Sequence, residues 1–464
     1  MDTGASPDDK APEEQAPEAQ ATDPQASDAH DPRGLRDRLR ASRLGGMAAV
    51  AAENLRDPSR GFALVLLASL ILRGLWLNVP ASGLIFDEAY YVNAARIIDG
   101  LPAGAHYAGS PLGLDPNTEH PPLGKLVIAA SMSVFGDQGL GWRLPSIVAA
   151  LVALVVLFEI IRRTDRSAWF AVLVVALVSF DNLTFVHGRI GTLDMLVLAP
   201  MLVGSLLALR RRWVLAGIAV GIALLVKLTA IYAVLAIGLW LVLTDGPEWW
   251  RRRRVPLREL AGPLAFLGMS AGVFLVGLAV LDARFTTFTT PFDHISRMLS
   301  YGTALRAPAT SVGICPEADS KPWQWLFNEC QIQYLRVDVT THAGDQVVSK
   351  VASIDFRGAL NPLLAGAIPL ASLFMAWYAA KTRNAAAIWA LTWAAANYLP
   401  YVALALVTNR IMYLYYMVQV VPALGVAVAI LLLRAGLPRP VRWGFVLAYA
   451  VGFIAYFPFR QIPT

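Results

Sequence analysis

Arg143-Leu-Pro-Ser-Ile-Val-Ala-Ala-Leu-Val-Ala-Leu-Val-Val-Leu-Phe-Glu-Ile-Ile-Arg162-Arg163 is an apolar run with arginine at both ends. Residues 144–161 carry one charge, Glu159. A helix needs roughly 17–25 such residues to cross the hydrocarbon core of a bilayer. Comparable runs fall at 62–79, 167–184, 190–209, 213–226, 229–243, 260–281, 359–379, 385–407, 411–433 and 441–457. Together they predict an all-α polytopic membrane protein with about eleven transmembrane helices. The composition agrees: mean hydropathy is +0.52 and only 16% of residues are charged. The net charge of +6 is therefore read as membrane topology and not as a nucleic-acid signal. No internal repeat is visible, which argues against an inverted-repeat transporter.

The positive charges set an orientation. Arg56 and Arg60 precede the first run, and Arg162, Arg163 and Arg166 follow the second. Arg210–Arg212, Arg251–Arg254 with Arg258, Lys381 with Arg383, and Arg434 with Arg439 and Arg442 occupy alternate connections thereafter. All fall on one side, the cytoplasm by the positive-inside rule, with the N-terminus inside and the C-terminus outside. Residues 1–45 read as an acidic, Pro-rich, disordered cytoplasmic tail ending in a basic juxtamembrane stretch from Arg33 to Arg43. No cleavable signal peptide is visible. The membrane domain covers 60–457, with two long outer loops at about 80–143 and 282–358. Surface helices are expected at 88–98 and 123–135. Cys315 and Cys330 lie in the second outer loop, and compartment and parity predict a disulfide rather than two reduced thiols.

The chemistry gathers in the first outer loop. Phe86-Asp87-Glu88-Ala89-Tyr90-Tyr91 sets two carboxylates just beyond a membrane span. Asp87 is either a helix N-cap, with Glu88 favouring the helix dipole, or a general base beside a residue that orients a nucleophile. Glu119-His120-Pro121-Pro122-Leu123-Gly124-Lys125 presents an acid and an imidazole at a turn and a lysine one turn into a helix. Arg143 and Arg410 stand at outer mouths of spans, where an arginine fork either anchors to the interface or binds a lipid-linked phosphate. Arg410, Tyr413 and Met417 are expected on one helix face. Arg73, Arg189, Asp194 and Lys227 lie inside or at the ends of spans, all toward the outer side, which points to one polar cavity opening outward.

The order of these motifs resembles the protein O-mannosyltransferases, glycosyltransferase family 39 with the GT-C fold. Beside the three motifs above, the resemblance takes in Arg189-Ile-Gly-Thr-Leu-Asp194, Lys321-Pro-Trp-Gln-Trp325, Asn361-Pro-Leu363 and Asn409-Arg410 with its tyrosine run. It covers nearly all of 60–457. It implies inverting transfer of mannose from a polyprenyl-phosphate-mannose donor to Ser or Thr hydroxyls of exported proteins at the outer face. Asp87 would be the general base, Glu88 would help bind the acceptor, and Arg143 and Arg410 would serve the donor phosphate or the site architecture. Tyr413, Lys125, His120, Glu119, Arg189, Asp194 and Lys227 are the further candidates for substrate binding. The Ala89-Tyr90-Tyr91 continuation also resembles the lipid A aminoarabinose transferases of the same fold. The second outer loop is too short for the β-trefoil of the eukaryotic enzymes. The rival is therefore transfer of another sugar to a lipid or cell-wall glycan; a secondary transporter is more distant. No metal or cofactor is assigned, although Asp87 and Glu88 could hold a hard cation through oxygen ligands. Membrane lipids, the lipid-linked donor and the acceptor are the expected partners, with no nucleic acid.

Overall fold

Every one of the apolar runs contains a helix in the computed structural model, which describes residues 57–81, 83–253, 257–306, 315, 319–343, 346–408 and 410–463. The tail at 1–45, Arg56 and Asn409 lie outside the described residues. The first run is α1, Pro58–Gly74, started by Asp57, whose carboxylate accepts from Ser59 N, and by Pro58 in the first turn. The surface helices follow as α2, Glu88–Ile98, and α3, Leu123–Phe135. The opening stretch is α4, Gly139–Thr164, and packs against α5, Ala168–Ser179, and against α7, Leu193–Leu209. Between those two, α6, Asn182–His187, is a separate turn of helix. Asp181 causes the break: its carboxylate accepts from Thr184 N at 2.9 Å and from Asn361 N at 2.8 Å, so it starts a new helix.

The chain continues through α8, Trp213–Val226; α9, Ile231–Thr244; α10, Gly246–Arg252; α11, Leu257–Phe285; and the amphipathic α12, Pro291–Ala304. Trp325 then ends a short α13, Pro322–Trp325. The C-terminal part comprises α14, Pro362–Thr382; α15, Ala385–Val407; α16, Val421–Arg434; and α17, Arg439–Ala455. Asn361 caps α14, accepting from Leu363 N at 3.0 Å and donating to Tyr449 O at 3.0 Å. By length and composition, four described helices can cross a membrane: Gly139–Thr164, Arg258–Phe285, Pro362–Thr382 and Ala385–Val407. A fifth candidate is the pair Leu228–Thr244 and Gly246–Arg252, bent by 47°. The protein is a multi-pass membrane protein.

Two expectations are corrected. The expected all-α fold carries one β element, in the second outer loop: β1, Ile332–Ala343, pairs antiparallel with β2, Gln346–Gly358, from Ile332 opposite Gly358 to Ala343 opposite Gln346. Both arms are rich in Val, Ile, Thr and Tyr around Gly344-Asp345, a hairpin signal. The C-terminal segment borders β2, with Asp355 N donating to Pro458 O at 2.7 Å and Arg460 N to Ser353 O at 2.9 Å. The second correction concerns 411–433, where only the latter part is α-helical. Ile411 N donates to Leu305 O at 3.1 Å, and Met412 N to Asp319 Oδ1 at 2.8 Å. These bonds draw the segment out, and Tyr413 is extended, at φ −134° and ψ 143°. A 3-10 turn, Leu414–Gln419, leads into α16, where Pro422 is tolerated in the first turn and would break a longer helix. Arg410, Tyr413 and Met417 therefore share no helix face.

Cys315 and Cys330 are joined in a disulfide with their Cα atoms 5.2 Å apart, which ties down the start of the hairpin loop. A loop of this length is worth about 3 kcal/mol of loop-closure entropy. Alkylation and mass spectrometry of unreduced protein should find neither thiol labelled. Cys315→Ser should expose Cys330 to labelling and lower stability by up to about 3 kcal/mol.

Candidate active site

Asp87 stands at the N-cap of α2, yet its side chain makes no capping hydrogen bond. Capping does not account for this residue. The preceding Phe86 adopts φ +54°, the left-handed region, at a cost of roughly 1–2 kcal/mol for a bulky side chain. Its ring is held by stacking on Tyr334 at 3.9 Å and by an edge contact with Tyr415 at 5.5 Å. The kink turns the half-buried Asp87 toward Asp194 and Lys227, whose charges act on it. Burial, reinforced by the Asp194 carboxylate and opposed by the Lys227 ammonium, raises the Asp87 carboxyl from 3.8 to about 7.

Glu88 points the other way and is fully buried. Its Oε1 accepts from Arg143 Nε at 2.8 Å and Gly191 N at 2.7 Å. Its Oε2 accepts from Arg143 Nη2 at 2.8 Å and Ile85 N at 2.8 Å. Arg143 spends its remaining donors on Leu77 O and Gly83 O. This corrects the acceptor-binding expectation for Glu88, which has no free oxygen for it, and leaves Arg143, with no fork left for a phosphate, the architectural one of its two expected roles. They are a buried clamp between α2 and α4.

Lys125 is likewise committed. It is fully buried, its Nζ lies 2.6 Å from Asp115 Oδ2, and it donates to Asn117 O and, at 2.8 Å, to His120 O. It shapes the loop that carries Glu119 and His120 and is not free for phosphate. Glu119 accepts from Asn117 Nδ2 at 2.9 Å. His120 faces the Tyr91 ring at 5.9 Å. Burial, with Lys227 and Lys125 adding to it, holds its imidazole well below the usual histidine range, so the ring is neutral at pH 7. Arg189 is buried over the rings of Phe356 at 5.4 Å and Phe459 at 4.9 Å and donates to Leu75 O. It braces the hairpin and C-terminal segment, apart from Asp87.

Asp194 and Lys227 do act on Asp87, and the charges of Arg410 and Asp87 reach Tyr301 in common. Asp194 bonds Lys227 Nζ at 2.9 Å and His187 Nδ1 at 2.9 Å. Lys227 Nζ sits 5.5 Å from the centre of the Tyr415 ring. Tyr413, Tyr415 and Tyr416 stack among themselves, and Tyr416 packs on Tyr401 at 4.7 Å and Trp325 at 5.9 Å. Trp325, from the Lys321–Trp325 motif, donates to Ser320 Oγ and braces this cluster. The charges of Asp87 and Arg410 both reach Tyr416. Among the described residues Arg410 Nε is buried without a hydrogen-bond partner. Sequence reasoning missed Phe86, His187, Tyr334 and the second-loop strand that delivers Tyr334. The β-propensity of 332–343 was the available signal. Among the described residues no three His, Cys, Asp or Glu side chains gather as a metal site.

The fold is that of the GT-C membrane glycosyltransferases. The Pmt1–Pmt2 protein O-mannosyltransferase complex of S. cerevisiae bound to the sugar donor superposes with a TM-score of 0.64 at 12% identity, over 88% of this chain and 90% of that one. ArnT from Cupriavidus metallidurans in the apo state gives 0.52 at 20% identity, over 85% and 63%. Within that class, residues 119–273 match the family model of dolichyl-phosphate-mannose-protein mannosyltransferases. The polyprenol-phosphate-mannose–protein mannosyltransferase of Mycolicibacterium smegmatis is 28% identical over 257 residues, 46% of this chain and 48% of that protein. The Corynebacterium glutamicum protein of the same name is 24% identical over 354 residues, 61% and 66%. The chain thus spans about half to two thirds of the length of these curated relatives. The resemblance read from the motifs agrees with the family model and the curated relatives, and the solved structures share the fold.

Asp87 and Glu88 should separate cleanly on mutation. Glu88→Ala or Arg143→Ala strands a buried charge and should cost about 3–5 kcal/mol in the thermal stability of detergent-solubilised protein. Asp87→Asn should not. With its folded value raised, wild-type Asp87 costs stability as pH rises from the ordinary carboxylate range through about 7. The Asn variant should lack that fall and be at least as stable at alkaline pH.

Proposed function

We propose that this protein transfers mannose from a polyprenyl-phosphate-mannose donor to Ser or Thr hydroxyls of exported proteins, with inversion, at the outer face of the membrane. The observation that carries the reading is Asp87: an aspartate at a helix start that caps nothing and is buried enough to hold its proton near neutrality. A general base works best when its pKa lies near the working pH. Ionised Asp87 takes the proton of the acceptor hydroxyl as its oxygen attacks C1 of the sugar. The C1–O bond to phosphate breaks on the opposite side, and the electron pair leaves with the polyprenyl phosphate. Arg410, whose Nε has no hydrogen-bond partner among the described residues, stabilises the charge that develops there, and Lys227 pairs with Asp194. The step uses no metal or other cofactor. His120, neutral and near Lys227, and Tyr413 border the sugar; Glu119 faces the acceptor side. The arginine-rich connections support an orientation with this site outside the cytoplasm, the N-terminus inside and the C-terminus outside.

The test is transfer from labelled polyprenyl-phosphate-mannose to a Thr/Pro-rich peptide in membranes carrying each variant at equal expression. Asp87→Asn should lose at least 100-fold in kcat, in line with removal of a general base. Arg410→Ala should lose about 10–1000-fold, as for removal of one transition-state donor. In wild type, kcat/KM should fall below about pH 7 as Asp87 takes up its proton. Transfer to a lipid or glycan but to no peptide would move the acceptor. No transfer from this donor to any acceptor would overturn the reading.

A further inference from the structure

Among the described residues of the β-hairpin, Tyr334 reaches both the Asp87 loop and the buried ion-pair system. Its ring stacks on Phe86 at 3.9 Å and 16°. Its hydroxyl lies 2.7 Å from His187 Nε2. His187 Nδ1 faces Asp194 Oδ2 at 2.9 Å, so the imidazole proton sits on Nδ1 and Nε2 accepts from the tyrosine. One residue therefore holds Phe86 on one side and fixes the tautomer that bonds Asp194 on the other. Room for it is made in β2: a Cβ on Gly358 would stand 2.3 Å from the Tyr334 hydroxyl and 2.4 Å from its ring. Gly358 keeps that space open, directly opposite Ile332.

We propose that Tyr334 is a positioning residue for Asp87, by which the second outer loop sets the aim of the acid in the first. The proposal rests on the assignment of Asp87 as the base. The left-handed turn at Phe86 is costly for a phenylalanine and needs an outside hold. Tyr334 supplies it. When the ring is removed the turn relaxes, and a displacement of about 1 Å at a reacting group costs on the order of 100-fold in rate. The groups that face Asp87 electrostatically are Asp194 and Lys227, with the hydroxyls of Tyr91, Tyr301, Tyr334, Tyr413, Tyr415 and Tyr416 around them.

The experiment has two arms on the full chain. In the first, Tyr334→Ala should cut kcat for peptide mannosylation by roughly 100-fold, with donor KM within about threefold of wild type. Tyr334→Phe keeps the stack and should recover most of the loss. Gly358→Ala crowds the ring out of place and should behave like Tyr334→Ala. Phe86→Gly combined with Tyr334→Ala should be no worse than either alone, since both act through one turn. The second arm does not use activity: a hydrophobic carbodiimide labels protonated carboxyl groups, and mass spectrometry reads the adduct at Asp87. Wild type should be labelled below about pH 7. Tyr334→Ala and Gly358→Ala should move that midpoint toward the ordinary carboxylate value, and Tyr334→Phe should not. Additive losses in the double variant, or an unmoved midpoint in folded Tyr334→Ala, overturn the proposal. A wild type that transfers no sugar while its labelling shifts as stated would sink the transferase reading and leave the positioning role standing.

Discussion

The Glu88–Arg143 pair is the constraint on which the site depends. Two charges removed from water are tolerated only when their geometry is good and their remaining hydrogen bonds are met. Here both carboxylate oxygens bind the guanidinium fork, and two backbone amides complete the shell. Those amides belong to Ile85, just before α2, and Gly191, just before α7, so one pair fixes three elements. Successive residues of a helix point about 100° apart. Once Glu88 is driven inward, Asp87 must look elsewhere, and the Phe86 turn decides where. Adjacent identical chemistry is thus divided into a structural acid and a reactive one by direction alone.

The same accounting runs through the charges nearby. Lys125 is taken by Asp115, His294 by Asp282, and Lys227 and His187 by Asp194. Lys125 ties the loop at 115–120 to α3, His294 also bonds Thr118 O of that loop, and Lys227 and His187 lie against the Tyr415 ring. Among the described residues Asp87 makes no capping hydrogen bond and Arg410 Nε has no hydrogen-bond partner. Acid and base chemistry needs groups that are not already neutralised, and a lipid phosphate needs a cation whose donors are free. The polarity of the site is therefore concentrated by subtraction. Most of its ionisable residues build the walls, and few remain to act.

Much of this was legible in the chain. The apolar runs located the helices, because length and hydrophobicity are properties of a segment by itself. Asp87, Asp194, Lys227 and Arg410 were legible as charges near the outer ends of runs. Two properties were not. One is the division between clamp and base, because Glu88 and Arg143 are 55 residues apart and nothing local says that they meet. The other is the extended path of 410–413, whose tyrosines suit a helix face equally well. Its hydrogen bonds come from Leu305 and Asp319, roughly a hundred residues away in the chain. Local pattern reads the elements and misses what tertiary pairing imposes on them.

The β-hairpin shows the same limit with a larger consequence. Its composition signals strands, yet in a chain dominated by membrane helices a two-stranded ribbon is marginal by itself. It persists because it is held at several points. The C-terminal residues 458–460 border β2, Arg189 lies against Phe356, and Tyr334 is buried against Phe86 and His187. Each of those holds reaches a residue that the charge pattern alone assigned to substrate or left unexplained. Arg189 is the clearest case. A buried arginine near the outer face suggests a phosphate ligand, but this one lies over two phenylalanine rings and donates to Leu75 O. Partners alone remove only Arg143, whose fork is taken by Glu88, because Arg189 and Arg410 each keep one buried nitrogen without a hydrogen-bond partner among the described residues. What separates those two is place: Arg189 is packed against the hairpin rings, whereas the charge of Arg410 reaches Tyr416, which that of Asp87 also reaches.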